Sequence, residues 1–217
     1  MRVLILGGTA EANRLARTIT DAEVTLSLAG LAPPPDLPCR IRVGGFGGAD
    51  GLAAWLQDQG IDRVLDATHP FAARIAANAA LACERSGVPR LKLLRPAWTA
   101  VEGDRWIPAS SIDDAVQRLP FLGRRIWLAV GTRGGQAFAG VPVAFAPPFD
   151  LLVSRNSGGE AGHAKIARAR GLGIPVLMID RPPPPIGPCV PDVSSALAWL
   201  CGAATSACDP AHTAGNR

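Results

Sequence analysis

RVLILGGTAEANRLAR, residues 2–17, passes from an apolar strand through two glycines into a helical pattern. The glycines allow the backbone to turn tightly and approach a ligand, and the free N–H groups at the helix start attract an anion such as a phosphate. The stretch therefore indicates a nucleotide site. It departs from the dinucleotide fingerprint G-x-G-x-x-G, because Ala12 replaces a later glycine and Glu11 adds a negative charge to the first helical turn. The alternative is an ordinary strand-to-helix turn in which Thr9 caps the helix.

The composition of the 217-residue chain is that of a folded protein, because 48% of its residues are apolar and only 18% are charged. The length suits two small α/β domains or one large one. No run reaches the roughly 18 apolar residues of a membrane helix, and no signal-peptide cleavage pattern follows the apolar start. The sequence therefore predicts a cytoplasmic protein without a membrane partner.

The formal net charge of +4 is carried mostly by arginines that are spread along the chain. No nucleic-acid recognition motif accompanies them, and a small polyanionic ligand accounts for them at least as well, so we expect no nucleic-acid partner. The chain contains no tyrosine, which excludes the Tyr-Lys chemistry of short-chain dehydrogenases. Its five scattered cysteines lack C-x-x-C spacing and predict ordinary thiols and no metal site.

Strand-like and helix-like segments alternate along the chain, which favours parallel sheets covered on both faces. The first series has strands at 3–6, 24–28, 63–67 and 90–94 and helices at 11–20, 51–59 and 72–86. The second series has strands at 125–130, 141–144, 151–154 and 175–179 and helices at 111–119, 160–172 and 193–200. We therefore expect an N-terminal domain over residues 1–97, a C-terminal domain over 98–201 and a flexible tail over 202–217. Sheets whose ligand-binding loops face each other would leave a cleft between the domains.

VLDATHPFA, residues 64–72, places two titratable side chains at the end of a predicted strand. In one interpretation Asp66 orients His69 or holds a ligand hydroxyl. In the other, Asp66 and Thr68 satisfy N–H groups of the loop and His69 only packs. Pro70 is expected to occupy the first position of the next helix. A single histidine with no second candidate ligand nearby argues against a metal.

A later strand, glycine turn and helix unit occupies residues 154–182, SRNSGGEAGHAKIARARGLGIPVLMIDRP. Ser157 is expected to cap the helix, the glycine pair leaves N–H groups open to an anion, and Arg155 and Lys165 add positive charge. This pattern favours an anion site over a bare turn. GTRGG, residues 131–135, is either a third anion-facing loop or a mobile connection.

A further glycine cluster lies in VGGFGGADGLAAWL, residues 43–56. Asp50 is expected to cap the helix that follows. The glycines then either only turn the chain or line the ligand edge, where Phe46 would offer a flat face to a ring.

The order and spacing of eight motifs resemble those of the precorrin-6A reductase family of corrin biosynthesis. The motifs are ILGGTAEA, LAG, VGGFGG, DATHPFA, RPAW, VGTRGG, RNSGG and AKIARARGLGIPVLMIDRP, and they cover nearly the whole chain up to Pro182. The resemblance implies two Rossmann-like or flavodoxin-like three-layer α/β/α domains with parallel sheets and an inter-domain cleft. It also implies NADPH-dependent reduction of the precorrin-6A macrocycle to precorrin-6B in cobalamin biosynthesis. A tetrapyrrole substrate and transient contact with other corrin-pathway enzymes follow from it.

The same resemblance assigns roles to named residues. The cofactor site comprises Gly7, Gly8, Thr9, Glu11, Ala12, Arg14, Thr68, His69 and Pro70, and the substrate or phosphate site comprises Thr132, Arg133, Ser154, Arg155, Asn156, Ser157, Gly158, Gly159 and Lys165. Reduction also adds a proton to the macrocycle. Asp66, His69 or solvent supplies it, so these two side chains are the candidate catalytic residues.

One departure from the family pattern concerns the choice of cofactor. Leu31 and Ala32 follow LAG, where members of the family often continue with an arginine suited to a 2′-phosphate. We therefore expect Arg14, Arg40 or Arg42 to replace that arginine. The sequence assigns no role to His163.

Two other functions are compatible with the sequence. One is reduction of cobalt-precorrin-6A in the anaerobic branch of the same pathway, because the reacting bond is similar. The other is a non-catalytic nucleotide-binding module, which the lack of an obvious acid-base pair favours and the number of separate ligand-facing loops disfavours.

Overall fold

Ten strands and seven helices alternate over the residues that this computed structural model describes, 1–30 and 33–204, a description that excludes the side chains of residues 132, 133 and 161. The strands are β1 Arg2–Leu6, β2 Glu23–Leu28, β3 Arg40–Val43, β4 Arg63–Asp66, β5 Arg90–Leu93, β6 Trp106–Ala109, β7 Ile126–Ala129, β8 Leu151–Arg155, β9 Val176–Ile179 and β10 Cys189–Val190. The helices are α1 Ala10–Thr18, α2 Gly48–Asp58, α3 Ala73–Ser86, α4 Ile112–Arg118, α5 Gly131–Gly135, α6 Glu160–Gly171 and α7 Val193–Leu200. Short 3-10 turns follow α4 and α5.

The first sheet has the strand order β3-β2-β1-β4-β5-β10, and its neighbouring strands are all parallel. With β10 counted as the sixth strand, this is the 3-2-1-4-5-6 order typical of dinucleotide-binding sheets. The order reverses between β1 and β4. The crevice at the carboxyl ends of these two strands is therefore the switch point at which open α/β sheets bind ligands.

The central strand β1 is buried on both faces, as its continuous apolar run predicts. Val3 and Ile5 pack with residues of α1 and α7 on one face, and Leu4 and Leu6 pack with residues of α2 and α3 on the other. The first sheet is thus the middle layer of an α/β/α sandwich. This packing fixes the direction in which the β1–α1 turn leaves the sheet.

The second sheet has the order β6-β9-β8-β7 and is also parallel. Its buried strands β8 and β9 pack against Ile166 and Ala169 of α6, and the apolar side chains of three tryptophans border this core. α4 contacts β6 and β9. The parallel α/β architecture that the alternating pattern predicted is confirmed in both sheets.

The described chain divides into two compact units, one of residues 1–95 and 183–204 and one of Pro96–Pro182. Residues 183–201 were expected in the C-terminal domain, but they lie in the first unit. The reason is non-local: β10 pairs with β5, and Ala196, Trp199 and Leu200 of α7 join the core around β1. Most of the expected tail, residues 205–217, lies outside the described residues.

The sequence pattern missed three strands, β3, β6 and the two-residue β10, and predicted one strand that is largely absent. β3 (RIRV) is half-exposed and charged, and β6 (WIPA) contains a proline, which an edge strand tolerates. The strand expected at 141–144 is reduced to one bridge between Val143 and Ile126. These segments lie at sheet edges, where the apolar signal is weakest.

Three other local expectations are corrected by the structure. Asp50 does not cap α2, which begins at Gly48 after Gly47; it forms an ion pair with Arg85 of α3 instead. Ser157 does not cap α6, whose N-cap position is Gly159. The expectation of ordinary thiols is wrong at Cys189, which is disulfide-bonded, whereas Cys39, Cys83 and Cys201 are free thiols.

Candidate active site

The turn between β1 and α1 has the form that the opening stretch of sequence predicted. Gly7 packs tightly, because a Cβ there would lie 2.6 Å from Leu26 Cδ1. Gly8 has φ +105°, a conformation that L side chains rarely adopt, and a Cβ there would meet no described atom within 4 Å. Thr9 caps α1, since its Oγ1 accepts a hydrogen bond from Ala12 N at 3.2 Å. The turn thus combines an open backbone surface with a helix N-terminus.

A hydrogen bond joins this turn to the loop on the other side of the switch point. Thr9 Oγ1 donates to Ala67 O at 2.7 Å, so one hydroxyl both caps α1 and holds the segment after β4. The structure therefore brings two predicted parts of the cofactor site together, the turn with Gly8 and the loop that begins at Ala67. Because Thr9 Oγ1 has these two partners, its side chain connects the start of α1 to the loop after β4.

Asp66, the last residue of β4, is fully buried and forms an ion pair with Lys92 of β5 at 2.9 Å. Asp66 Oδ1 also accepts hydrogen bonds from Thr68 N at 3.1 Å and Thr68 Oγ1 at 2.6 Å. Lys92 Nζ donates further to Thr68 O at 3.2 Å and Thr68 Oγ1 at 3.0 Å. Sequence reasoning missed Lys92. The signal was present, because a lysine inside the apolar strand RLKL needs a buried carboxylate partner.

His69 and Pro70 follow in the same loop and are half-buried. Phe71 N donates to His69 Nδ1 at 3.2 Å, so this nitrogen serves as an acceptor within the loop. Pro70 does not begin the helix, because α3 starts at Ala73 after a turn. A non-helical loop of five residues therefore separates Ala67 from the helix.

Glu11 in the first turn of α1 forms an ion pair with Arg95 at 2.8 Å, with side chains 23% and 16% exposed. Without a partner this carboxylate would repel a phosphate at the helix N-terminus, and the arginine offsets that repulsion. Arg14, one turn further along α1, lines a groove of about 340 Å³ together with Asp192 and Ser194 at the start of α7. Arg14 therefore faces α7.

Two further arginines were candidates for a 2′-phosphate, and the structure separates them. Arg40 is the first residue of β3, at the amino end of a parallel strand, and donates to Gln59 Oε1 at 3.0 Å. Arg42 lies near the carboxyl end of β3, beside Ser27 of β2. Its guanidinium stacks 3.7 Å above the Phe46 ring. Only Arg42 is near the ligand-binding edge of the sheet.

Hydrogen bonds to two carbonyl groups orient the Arg42 guanidinium. They run to Gly44 O and Gly45 O, each at 2.8 Å. Partial burial lowers the pKa of Arg42. A guanidinium has five N–H donors, and within the described residues these two hydrogen bonds leave donors for a phosphate.

In the second unit, the loop after β8 is held by a tryptophan that is distant in sequence. Trp98 N donates to Asn156 Oδ1 at 2.8 Å, Asn156 Nδ2 donates to Trp98 O at 3.0 Å, and Trp98 Nε1 donates to Gly159 O at 3.1 Å. Arg181 Nε donates to Asn156 O at 2.6 Å. The buried side chain of Asn156 thus holds the loop in place and is not available to an anion. The groups of this loop that remain for an anion are the backbone N–H groups around Gly158 and the neighbouring side chains.

GTRGG forms a short helical turn, α5, and so is not an open loop. The side chains of Thr132 and Arg133 lie outside the described residues. Arg155 packs against this turn, because a Cβ on Gly131 would lie 3.2 Å from Arg155 Nη2. Burial lowers the pKa of Arg155. The structure therefore brings the GTRGG and RNSGG segments together around one guanidinium.

The remaining predicted residues of the second unit are spread over a wider surface. Ser154 is buried in β8, whereas Lys165 is exposed on α6 and does not share the environment of the glycine loop. His163 is exposed, and its ring lies 6.3 Å from the ring of Trp98.

Neither a metal centre nor a membrane span is found in the part of the chain that the structure describes. No group of three or more His, Cys, Asp or Glu side chains there could hold a metal ion. No described helix is long and apolar enough to cross a membrane.

Comparison with known proteins identifies relatives along the whole chain. The sequence model of the family described as "Precorrin-6x reductase CbiJ/CobK" matches residues 2–145 and 147–201. A precorrin-6A reductase of Rhodococcus erythropolis is 43% identical over 92% of this chain and 97% of its own. A cobalt-precorrin-6A reductase of Salmonella typhimurium is 27% identical over 84% of this chain and 88% of its own. The solved structure titled "CobK precorrin-6A reductase" superposes with a TM-score of 0.83 at 34% identity and covers 100% of this chain and 98% of that one.

Proposed function

The chain belongs to the precorrin-6x reductase family, and from this we infer that it transfers a hydride from NADPH to the macrocycle of precorrin-6A, giving precorrin-6B in cobalamin biosynthesis. It is an oxidoreductase. The observation that carries the cofactor part of this proposal is the open glycine turn at the switch point of a sheet with dinucleotide-binding strand order.

The residues at this edge fit a dinucleotide. A backbone that leaves open space at Gly8 allows close approach of a pyrophosphate, and the N–H groups at the start of α1 would hold it. Arg95 neutralises Glu11, so the first turn of the helix carries no uncompensated negative charge toward that phosphate. When bound, the reduced nicotinamide supplies the hydride.

The loop from Ala67 to Pro70 would border the reacting end of the cofactor, because it lies across the switch point from the glycine turn. Asp66 holds this loop in place, because its Oδ1 accepts hydrogen bonds from Lys92 Nζ and from the N–H and hydroxyl of Thr68. His69 is the titratable side chain that the loop itself carries. We assign Asp66 to orientation of the loop and keep His69 and solvent as the sources of the proton.

Arg42 accounts for a preference for NADPH over NADH. The dinucleotide would run from the α1 start toward β2 and β3, and Arg42 lies two strands from Leu6 in the same register row, about 10 Å away at the usual strand spacing. A guanidinium that is already oriented by two carbonyl groups and an aromatic ring is well suited to a forked contact with a phosphate.

The second unit supplies positive charge suited to the carboxylates of the tetrapyrrole. Arg155, the N–H groups of the loop at Gly158 and Gly159, and the α5 turn lie together at the end of β8. Asn156 is used to hold the loop in place, and we therefore remove its side chain from the set of substrate ligands. Lys165 is exposed on α6, where it would add only long-range attraction.

The test of the proposed function is oxidation of the reduced nicotinamide, followed by its near-ultraviolet absorbance. Purified protein is mixed with NADPH or NADH and with metal-free or cobalt-loaded precorrin-6A. Oxidation that needs metal-free substrate and is faster with NADPH supports the proposal. Oxidation only with the cobalt-loaded substrate identifies the anaerobic branch. Tight NADPH binding without turnover of either substrate would show a non-catalytic module.

The assignment of Arg42 has its own test. Arg42→Gln should weaken binding of 2′,5′-ADP, measured by calorimetry, by about 10-fold to 100-fold, because a hydrogen-bonded charge is lost, and should leave 5′-AMP binding unchanged. Arg40→Gln is the matched control, since it removes the same charge two residues earlier in β3. Equal effects of the two variants would remove Arg42 from the site and leave the hydride transfer itself untouched.

A further inference from the structure

The ion pair between Asp66 and Lys92 is unusual for its depth. The two side chains are 0% and 3% exposed, and the pair lies at the carboxyl ends of β4 and β5, directly below the loop that begins at Ala67. Desolvation of two buried charges costs several kcal/mol per ion in general, and well-packed apolar residues often serve stability as well or better. Stability alone therefore gives no reason for charges at this point of the sheet.

The pair is also incompletely satisfied. Asp66 Oδ2 is buried and makes no hydrogen bond to any described residue, while Oδ1 accepts three. Buried acceptors without a partner are rare in folded proteins and tend to mark positions where function competes with stability. The bonds that are made converge on a single residue, Thr68.

Thr68 is held through every polar group that it has. Its N–H and its hydroxyl donate to Asp66 Oδ1, and its carbonyl oxygen and hydroxyl oxygen accept from Lys92 Nζ. The preceding carbonyl, Ala67 O, accepts from Thr9 Oγ1. The backbone of Ala67 and Thr68 is therefore held at once by the β1–α1 turn, by β4 and by β5, so His69 follows a fixed segment.

We propose that Lys92 is a positioning residue for hydride transfer: through Asp66 and Thr68 it holds the loop from Ala67 to Pro70 at one distance and angle to the reacting groups. The proposal rests on the proposed function, because it places the reacting end of the cofactor at this loop. Transfer between two bound molecules depends on placement, and a misplacement of about 1 Å can lower the rate about 100-fold. A rigid loop at the switch point meets that need.

The experiment removes both charges together, so that no isolated buried ion remains. The double variant Asp66→Asn/Lys92→Met keeps an oxygen that can accept from Thr68 and replaces the ammonium by an apolar chain of similar length. We expect its melting temperature to stay close to that of the wild type, its dissociation constant for NADPH to change less than about threefold, and its kcat to fall about 10-fold to 100-fold. A purely structural role would leave kcat unchanged in the folded variant, and that result would overturn the proposal.

The matched control is Asp50→Asn/Arg85→Met, which removes an exposed ion pair from the same unit with the same change of charge. It should leave kcat and NADPH binding unchanged; a loss equal to that of the buried double variant would contradict a specific role for Lys92. If the buried double variant does not fold, Thr68→Val replaces it, because it keeps the ion pair and removes the hydroxyl through which both charges act. Unchanged kcat in that variant would equally refute the proposal.

Hydrogen exchange separates this inference from the proposed function. The amides of Thr68, His69 and Phe71 should exchange at least about 10-fold faster in the buried double variant than in the wild type, whether or not any substrate is turned over. Wild-type protein that fails to oxidise NADPH with precorrin-6A would end the proposed function, while unaltered exchange at these amides would end the role of Lys92.

Discussion

Replacement of Thr9 by valine is expected to destabilise the start of α1 by about 2–3 kcal/mol. The hydroxyl has two partners, Ala12 N at 3.2 Å and Ala67 O at 2.7 Å. Loss of an N-cap costs about 1 kcal/mol, and a buried carbonyl left without its donor costs about 1–2 kcal/mol more. Ala67 is only 1% exposed, so water does not easily replace the lost donor. Valine matches threonine in shape, which leaves the hydrogen bonds as the main difference.

Hydrogen exchange on the peptide that carries α1 measures this change directly. Tryptophan fluorescence is a poor probe here, because three of the five tryptophans lie in the second unit. A loss of about 2–3 kcal/mol corresponds to exchange that is faster by about 30-fold to 150-fold at amides that open locally. Binding of NADPH should weaken as well, because the helix start that would hold its phosphates then frays.

Thr9→Ser is the matched control, since it keeps the hydroxyl and removes only a methyl group. We expect its exchange to lie within about threefold of the wild type. If the valine and serine variants exchanged equally fast, the hydrogen bonds of Thr9 would contribute nothing measurable. The hydrogen bond from Thr9 to Ala67 across the switch point would then make no measurable contribution to stability.

Two further predictions concern the second unit. Gly162→Ala should lower its stability by about 1–3 kcal/mol, because a Cβ would lie 2.5 Å from Trp98 Cη2, whereas Gly171→Ala in the same helix should stabilise by about 0.4–1 kcal/mol; thermal unfolding of both variants tests this. Burial alone would raise the pKa of Asp104, but hydrogen bonds from Arg170 and a backbone N–H outweigh it, so the pKa is lowered below its ordinary value of 3.8. The folded pKa is thus below the unfolded one, and the stabilisation is complete above about pH 4 and lost as the pH falls through the folded value. Urea unfolding of wild type and Asp104→Asn should show a constant difference near neutral pH that shrinks in acid; a difference independent of pH would refute this.

The parts of the site that the sequence predicts are local ones. The glycine turn, the cap at Thr9 and the strand before them lie within one short stretch, and neighbouring residues determine their conformation. The same holds for α6, which begins at Glu160 as predicted, although its N-cap position is Gly159 and not Ser157. Features of this kind depend on consecutive residues, so the sequence alone is enough to predict them.

The parts that the sequence does not predict depend on partners far along the chain. A lysine inside RLKL signals a buried partner, but that this partner is Asp66 follows only when β5 is placed beside β4 in register. Trp98 and Asn156 are 58 residues apart, so nothing local assigns the asparagine to a structural role. β10 joins the first sheet after the chain has passed through the whole second unit. Strand register and the return of the chain to the first sheet depend on packing across the sheet. The periodicity of apolar residues along the sequence carries no information about that packing.

The predicted ligand-binding loops of the two units are held in place in a similar way. In each unit a glycine-containing loop follows a parallel strand and is hydrogen-bonded to a segment far along the chain: Thr9 of the β1–α1 turn donates to Ala67 O, and Asn156 of the loop after β8 bonds to the backbone of Trp98. Glycines give the backbone the shape that a phosphate or carboxylate needs, but they also make the loop costly to order. These hydrogen bonds between distant segments order the loops before any ligand arrives, so less of the binding free energy is spent on ordering them. For a reaction whose rate depends on the placement of two bound molecules, these holding residues matter as much as the loops that touch the ligands.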